Sequence, residues 1–179
     1  LVLISAGCFA QKSLVNQARN LADSENPDYA AARATIAQAL ENDETKNQAN
    51  TWYTAGLIGY KEFESENLRR QLGQNVDIDK WGNAVYESLN YWTKAYELAM
   101  IPTYDKKGRA KYDTRTPKSI LPKVVEYFQI QPLIAAGFNA YEANNPSLAY
   151  DMFMAHVNIP ELEIVKANPE EASKLLRDT

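Results

Sequence analysis

Disulfide and metal chemistry are the first things this chain does without. It has one cysteine, Cys8, and one histidine, His156, in 179 residues. That excludes an internal disulfide framework, a cysteine-based zinc site and a multi-histidine metal site. Cys8 lies in an apolar N-terminal stretch and His156 on an apolar helical pattern, so no cysteine–histidine catalytic pair is placed, and His156 reads as a packing residue. Glycine is scarce, with 7 residues, while helix formers such as Ala, Leu, Glu, Lys and Gln are plentiful, which favours helix over sheet. A surplus of positive charge is also missing: 19 Lys and Arg against 23 Asp and Glu give a net charge of −4. The chain as a whole therefore carries no electrostatic footprint for nucleic acid. The sequence offers no Gly-rich phosphate loop, no Gly-x-Ser-x-Gly turn, no metal-ligand cluster and no pair of acids in a pKa-shifting setting. A non-catalytic protein without cofactor or metal is expected.

What the chain does contain is a helical hairpin, cleanest in residues 133–160, LIAAGFNAYEANNPSLAYDMFMAHVNIP. Leu133, Ala136, Gly137, Ala140 and Tyr141 fall at spacings of three and four, a narrow stripe of mostly small side chains on one helix face. Asn144 and Asn145 interrupt the pattern. Asn145 can cap the next helix, and Pro146 suits its first turn, where no amide donor is needed. The second helix buries Ala149, Met152, Phe153 and either His156 or Val157, and Pro160 ends it. A hairpin with a small-residue seam cannot cover its own apolar face, which predicts stacked copies.

Along the chain, residues 1–10, LVLISAGCFA, are apolar, uncharged and too short to span a bilayer. They read as the tail of a secretory signal peptide. Cleavage after Ala10 uses Cys8-Phe9-Ala10 as a small-x-small site; alternatively, Ile4-Ser5-Ala6-Gly7-Cys8 is a lipobox whose lipidated Cys8 ties the protein to the outer membrane. Both readings place the domain of residues 11–179 outside the cytoplasm, in the periplasm or at the outer membrane; a third, a merely buried apolar N-terminus, does not.

The spacing then predicts a short helix over 12–23 and a second, started by Asn26-Pro27, to about residue 42. A third begins near Asn47 and carries Trp52, Ala55, Gly56, Gly59 and Tyr60 along a seam. Its charged continuation through Lys61, Glu62, Glu64, Glu66, Arg69 and Arg70 is expected to be a solvated face. After a loop at 71–77, Ile78, Trp81, Val85, Leu89 and Trp92 open a long amphipathic helix that ends before Pro102. Residues 103–118 break the rhythm and predict a short irregular or hairpin insertion. They carry Lys106, Lys107, Arg109, Lys111, Arg115 and Lys118 against Asp105 and Asp113, either a solvated excursion or a contact site for an acidic partner or anionic surface. Two Pro-limited turns over 119–131 lead into the hairpin of 133–160, and Asn168-Pro169 starts a further helix.

These segments resemble, in degenerate form, the tetratricopeptide pattern of Trp-x2-Leu-Gly-x2-Tyr, then Ala-x3-Phe and a closing Pro. The clearest match has Leu133, Ala136, Gly137 and Ala140, then Ala149, Phe153 and Pro160. A middle unit has Trp52, Ala55, Gly56 and Gly59, then Ser88, Trp92, Ala95 and Pro102, and a first unit keeps Tyr29, Ala32, Ile36 and Ala39. The units cover about 12–43, 47–102 and 119–160, with another helix starting over 168–179. Ala39, Ala95 and His156 stand 56 and 61 residues apart where the standard repeat has 34, so long insertions are present. With the leader and the DKKG loop, the chain resembles exported tetratricopeptide-repeat proteins of Gram-negative bacteria.

That resemblance implies an all-α, right-handed solenoid of helical hairpins whose first helices line a concave groove for an extended peptide or partner helix. The groove-facing residues would be Tyr53, Leu57 and Tyr60 in the middle unit and Gln131, Ile134, Phe138 and Tyr141 in the last. The alternative use of these aromatics is packing between repeats. The implied function is a non-catalytic scaffold of the cell envelope that binds a protein or peptide. The alternative is an envelope glycan-binding module or hydrolase, with Glu62, Glu64 and Glu66 or surface aromatics as the site, or with its active part outside this stretch of sequence.

Overall fold

A computed structural model describes residues 5–177, with side chains from Ser13 onward apart from Leu175 and Arg177. Among these the chain is all-α except for one small hairpin. In order come α1 (Ser5–Asp23), α2 (Tyr29–Glu41), α3 (Ala49–Gln71), α4 (Ile78–Ala99), β1 (Thr103–Tyr104), β2 (Ala110–Lys111), α5 (Arg115–Ile130), α6 (Pro132–Glu142) and α7 (Pro146–Val157). A 3-10 turn (Ile159–Glu161), α8 (Glu163–Lys166) and α9 (Pro169–Arg177) follow. Of the leader stretch, residues 1–4 and the Cys8 side chain lie outside the described residues.

Local chemistry sets the helix starts. Asn145 caps α7 as its sequence predicts, its side-chain oxygen accepting from Leu148 N at 3.2 Å with Pro146 in the first turn. The Asn26-Pro27 signal is displaced: Asp28 is the cap of α2, accepting from Ala31 N at 2.8 Å. The 119–131 helix is longer than two turns. It begins at Arg115 because the Asp113 carboxylate accepts from the amides of Arg115 and Thr116, at 2.9 and 3.2 Å, and from the Thr116 hydroxyl at 2.6 Å. Gln131, in the left-handed region at φ 61°, separates α5 from α6, which starts at once with Pro132.

Three helical hairpins pack in chain order. α1 lies on α2 and α3, α3 on α4, α4 on α6, and α6 on α7. Between the second and third, α5 lies on α3 and α4, and α9 returns to pack on α5. α3 thus touches four other helices, and this is what positions the site described below. Close approach is built in at Gly59, where an added Cβ would stand 2.5 Å from both Ala84 O and Ser88 Oγ, and at Gly82, where it would collide with the methyl of Ala136.

The core is in two parts. The part between α1, α2 and α3 is built largely from alanines, Ala18, Ala22, Ala32, Ala39 and Ala55, with Val15, Ile36 and Ile58. The part between α3, α4, α5 and α6 holds Phe63, Trp81, Trp92, Tyr127 and Leu133. Phe63 stacks on Trp81 at 6.1 Å, and Tyr127 meets Phe63 edge-on at 4.9 Å and stacks on Trp92 at 5.9 Å. A fully buried Phe or Leu contributes roughly 1.5–3 kcal/mol and a single methyl group about 0.8 kcal/mol, so the aromatic part carries most of the stability.

Candidate functional site

Two clusters of polar side chains project from opposite sides of α3. Residues 62 and 66 are one helical turn apart, so their side chains share a face, whereas residue 64 lies some 200° around the helix from residue 62 and shares its face with 57, 60 and 61.

The Glu62 face is closed. Glu62 and Glu66 are only 6% and 5% exposed, which corrects the expectation of a solvated surface along this run. Arg33 of α2 donates from Nη2 to Glu62 and to Glu87 of α4, each at 2.6 Å, and from Nε to Glu87 at 2.8 Å. Lys80 of α4 stands 3.4 Å from Glu62 and 3.8 Å from Glu66, and Asp77 N donates to Glu66 at 3.3 Å. Burial alone would lower the Arg33 pKa, but its hydrogen bonds to Glu87 and Glu62 outweigh it and hold the guanidinium above its ordinary value. These carboxylates are committed to pinning three helices together. They are not available to substrate, so Glu62 and Glu66 are poor candidates for catalysis.

The other face of α3 is flanked by α1 and α5, and this flanked stripe is termed the α3 trough. Tyr53, Leu57, Tyr60, Lys61 and Glu64 run along α3 as a stripe of half-buried residues. Leu57 belongs to neither core cluster. α1 forms one wall: the Arg19 guanidinium lies 5.9 Å from the centre of the Tyr53 ring and donates to the Thr54 hydroxyl at 3.3 Å, and Asp23 stands 3.4 Å from Lys61. Lys61 also pairs with Glu64 at 3.2 Å. α5 forms the other wall: Tyr60 donates its hydroxyl proton to Glu126 at 2.9 Å, and the Lys123 ammonium sits 5.0 Å above the Tyr60 ring while donating to Ser119 O at 3.0 Å.

Lys123 makes no ion pair among the described residues. Burial pushes its pKa down, and the nearby Glu64 and Glu126 only partly offset this. Burial likewise pushes the Glu126 carboxyl up, Glu64 adding to the shift and Tyr60 opposing it. The Tyr60 phenol is raised by burial and then by the Glu126 and Glu64 charges. A lifted carboxyl beside a depressed ammonium marks a candidate functional site. Arg19, Lys123 and Glu126 were not singled out from sequence. An amphipathic helix of unspecified partner, such as α5, gives no signal of which helix it will face.

The remaining expected residues are dispersed. Gln131 and Ile134 line a cleft with Arg70, Val76, Ile78 and Trp81, and α6, which bears Ile134, packs on α4 and α7. Phe138 and Tyr141 project from α6 with 59% and 67% of their surface exposed. Tyr141 therefore leaves the buried stripe formed by Leu133, Ala136, Gly137 and Ala140, and Phe138 touches Phe153 edge-on at 5.3 Å. The expected groove residues of the middle unit thus lie on α3, which packs on α5, and those of the last unit on α6 and at the α5–α6 junction. In the insertion, Lys106, Lys107 and Lys111 are exposed, while Arg109 is held by Asp105 at 2.7 Å. His156 is buried and stacked on Phe128 at 4.9 Å, its pKa lowered by desolvation. Separately, an apolar cavity of about 290 Å³ lies between Leu89, Trp92, Tyr96, Ile120, Val124 and Ile164, and it shares no lining residue with the trough. Among the described residues, no group of His, Cys, Asp and Glu is arranged to hold a metal ion, and no helix is long and apolar enough to cross a membrane.

Compared with known proteins, the chain matches no family model, no curated protein and no solved structure.

Proposed function

We propose that the chain is a tetratricopeptide-like scaffold of the bacterial cell envelope, exported by its N-terminal leader, and that it binds an extended segment of a protein or peptide along the α3 trough. The observation that carries this reading is Leu57, a half-buried apolar side chain at mid-helix that belongs to neither core cluster and lies between two tyrosines that are each capped by a cation. Tyr53 and Tyr60 offer rigid, amphipathic contact area at low entropy cost, and Lys61, Glu64, Lys123 and Glu126 offer donors and acceptors for a peptide backbone. Three hairpins packed in chain order, with small residues at their seams, support the solenoid reading.

The test is selection of a random peptide library displayed on phage against the folded chain. Enriched peptides should bind the Leu57→Lys variant at least about tenfold more weakly, a loss of about 1.4 kcal/mol, with an unchanged urea midpoint. Peptides that bind this variant as tightly as the parent would exclude the trough. The Glu126 and Lys123 shifts favour a second reading, a glycan site with acid–base capacity. Thermal stabilisation by cell-wall or polysaccharide fragments, with no peptides enriched, would select it.

A further inference from the structure

The two-stranded hairpin stands out from the helical body. Thr103 pairs with Lys111 and Tyr104 with Ala110, so the alternation of a strand puts Tyr104, Ala110 and Tyr112 on one face and Thr103 and Lys111 on the other. Both strands are exposed throughout, and Tyr104 keeps 69% of its surface in solvent. Ile101, at the base, is also exposed. Isolated hairpins are marginal in water, yet this one has a pinned turn: the Asp105 carboxylate accepts from the amides of Lys107 and Arg109 at 2.8 and 3.0 Å and from Arg109 Nε at 2.8 Å. Gly108 supplies the left-handed residue at φ 72°. Asp105 thereby neutralises Arg109, while Lys106, Lys107, Lys111 and Lys118 make no ion pair among the described residues. A chain of net charge −4 thus concentrates unpaired positive charge beside exposed aromatic rings on one projecting element.

We propose that this hairpin docks on an anionic lipid bilayer, with Tyr104 and Tyr112 at headgroup level and Lys106 and Lys107 of the turn on the lipid phosphates. The chemistry separates this occupant from an acidic protein. An acidic patch would satisfy the lysines but provide no apolar layer for Tyr104, Tyr112 and Ile101, whereas the headgroup region provides both. Tyrosine is favoured there by its amphipathic ring, lysine extends its apolar stem toward the acyl boundary, and each basic residue near an anionic surface adds to the attraction. The proposal is independent of the trough, which lies on α3, and either can fail alone.

The experiment is co-sedimentation of the full chain with vesicles of equal parts phosphatidylglycerol and phosphatidylcholine, against pure phosphatidylcholine vesicles. Retention is expected on the anionic vesicles only, with release as salt rises from about 0.05 to about 0.5 M. Combined Lys106→Glu and Lys107→Glu should weaken partitioning on the order of thirtyfold or more. Combined Tyr104→Ser and Tyr112→Ser, which leaves the charges in place, should weaken it about tenfold through lost aromatic burial; circular dichroism should show parental helicity in both variants. No retention on anionic vesicles, equal retention on both vesicle types, parental binding by either variant, or binding to polyglutamate without binding to vesicles would overturn the proposal.

Discussion

Two sets of charges on α3 arise from one short run of sequence and have opposite fates. On the face of Glu62 and Glu66, Arg33 and Lys80 close around the carboxylates and link α2, α3 and α4. On the face of Tyr60 and Glu64, α5 comes near enough to strip water from Lys123 and Glu126 but does not bring them into an ion pair, and the two groups are displaced from their ordinary pKa values in opposite directions. Burial with good partners makes a charge structural. Burial with neutral hydrogen-bond partners but no ion pair leaves groups poised to respond to something else, at the cost of some stability. The contrast puts the paired, structural charges on one face of the helix and, under the function proposed above, binding on the other.

The contrast would break first at Arg33. Arg33→Ala leaves Glu62, whose side chain is 7% exposed, buried beside Lys80 alone, and is expected to cost about 3–5 kcal/mol of unfolding free energy in urea titrations. A loss below about 1 kcal/mol would mean that water enters the network, and the two faces would then differ little. Next comes Tyr60→Phe, which removes the hydroxyl donor from Glu126 and is expected to cost about 1 kcal/mol and to move the Glu126 pKa higher still. The smallest effect belongs to Glu126→Gln. The folded carboxyl lies above its ordinary value of 4.5, so its stabilising contribution is complete below that value and is lost as the pH rises through the raised folded pKa. Relative to the parent, the Gln variant should therefore gain stability as the pH climbs from about 4 to neutrality, as measured by thermal melts. A constant difference over that window would place Glu126 in ordinary solvent.

How much of this could be seen in the sequence varies residue by residue. The hairpin of α6 and α7 was legible because its information is local: Asn145 caps, Pro146 suits the first turn, and Ala136 and Ala140 mark the seam. The insertion was legible because Asp105 and Gly108 carry turn chemistry that needs no distant partner. Tyr53, Leu57 and Tyr60, which the resemblance puts in a groove beside a small-residue seam, lie half-buried along one face of α3. Glu62 was misread for a physical reason: charge in sequence normally means solvent, and the partner that reverses this, Arg33, is 29 residues away on another helix. The places of Lys123 and Glu126 depend on where α5 docks. That docking is set by Tyr127 entering the aromatic cluster of Phe63 and Trp92, a long-range event with no local signal.

The most direct measurement takes Arg33→Ala and Leu57→Lys side by side, each assayed for urea unfolding and for binding of a library-selected peptide at a temperature where both variants are folded. The expected result is a double separation: Arg33→Ala loses several kcal/mol of stability and binds within about twofold of the parent, while Leu57→Lys keeps its unfolding midpoint and binds at least about tenfold more weakly. If Leu57→Lys loses stability comparably, or Arg33→Ala weakens binding comparably while folded, the two faces of α3 are not separate in function.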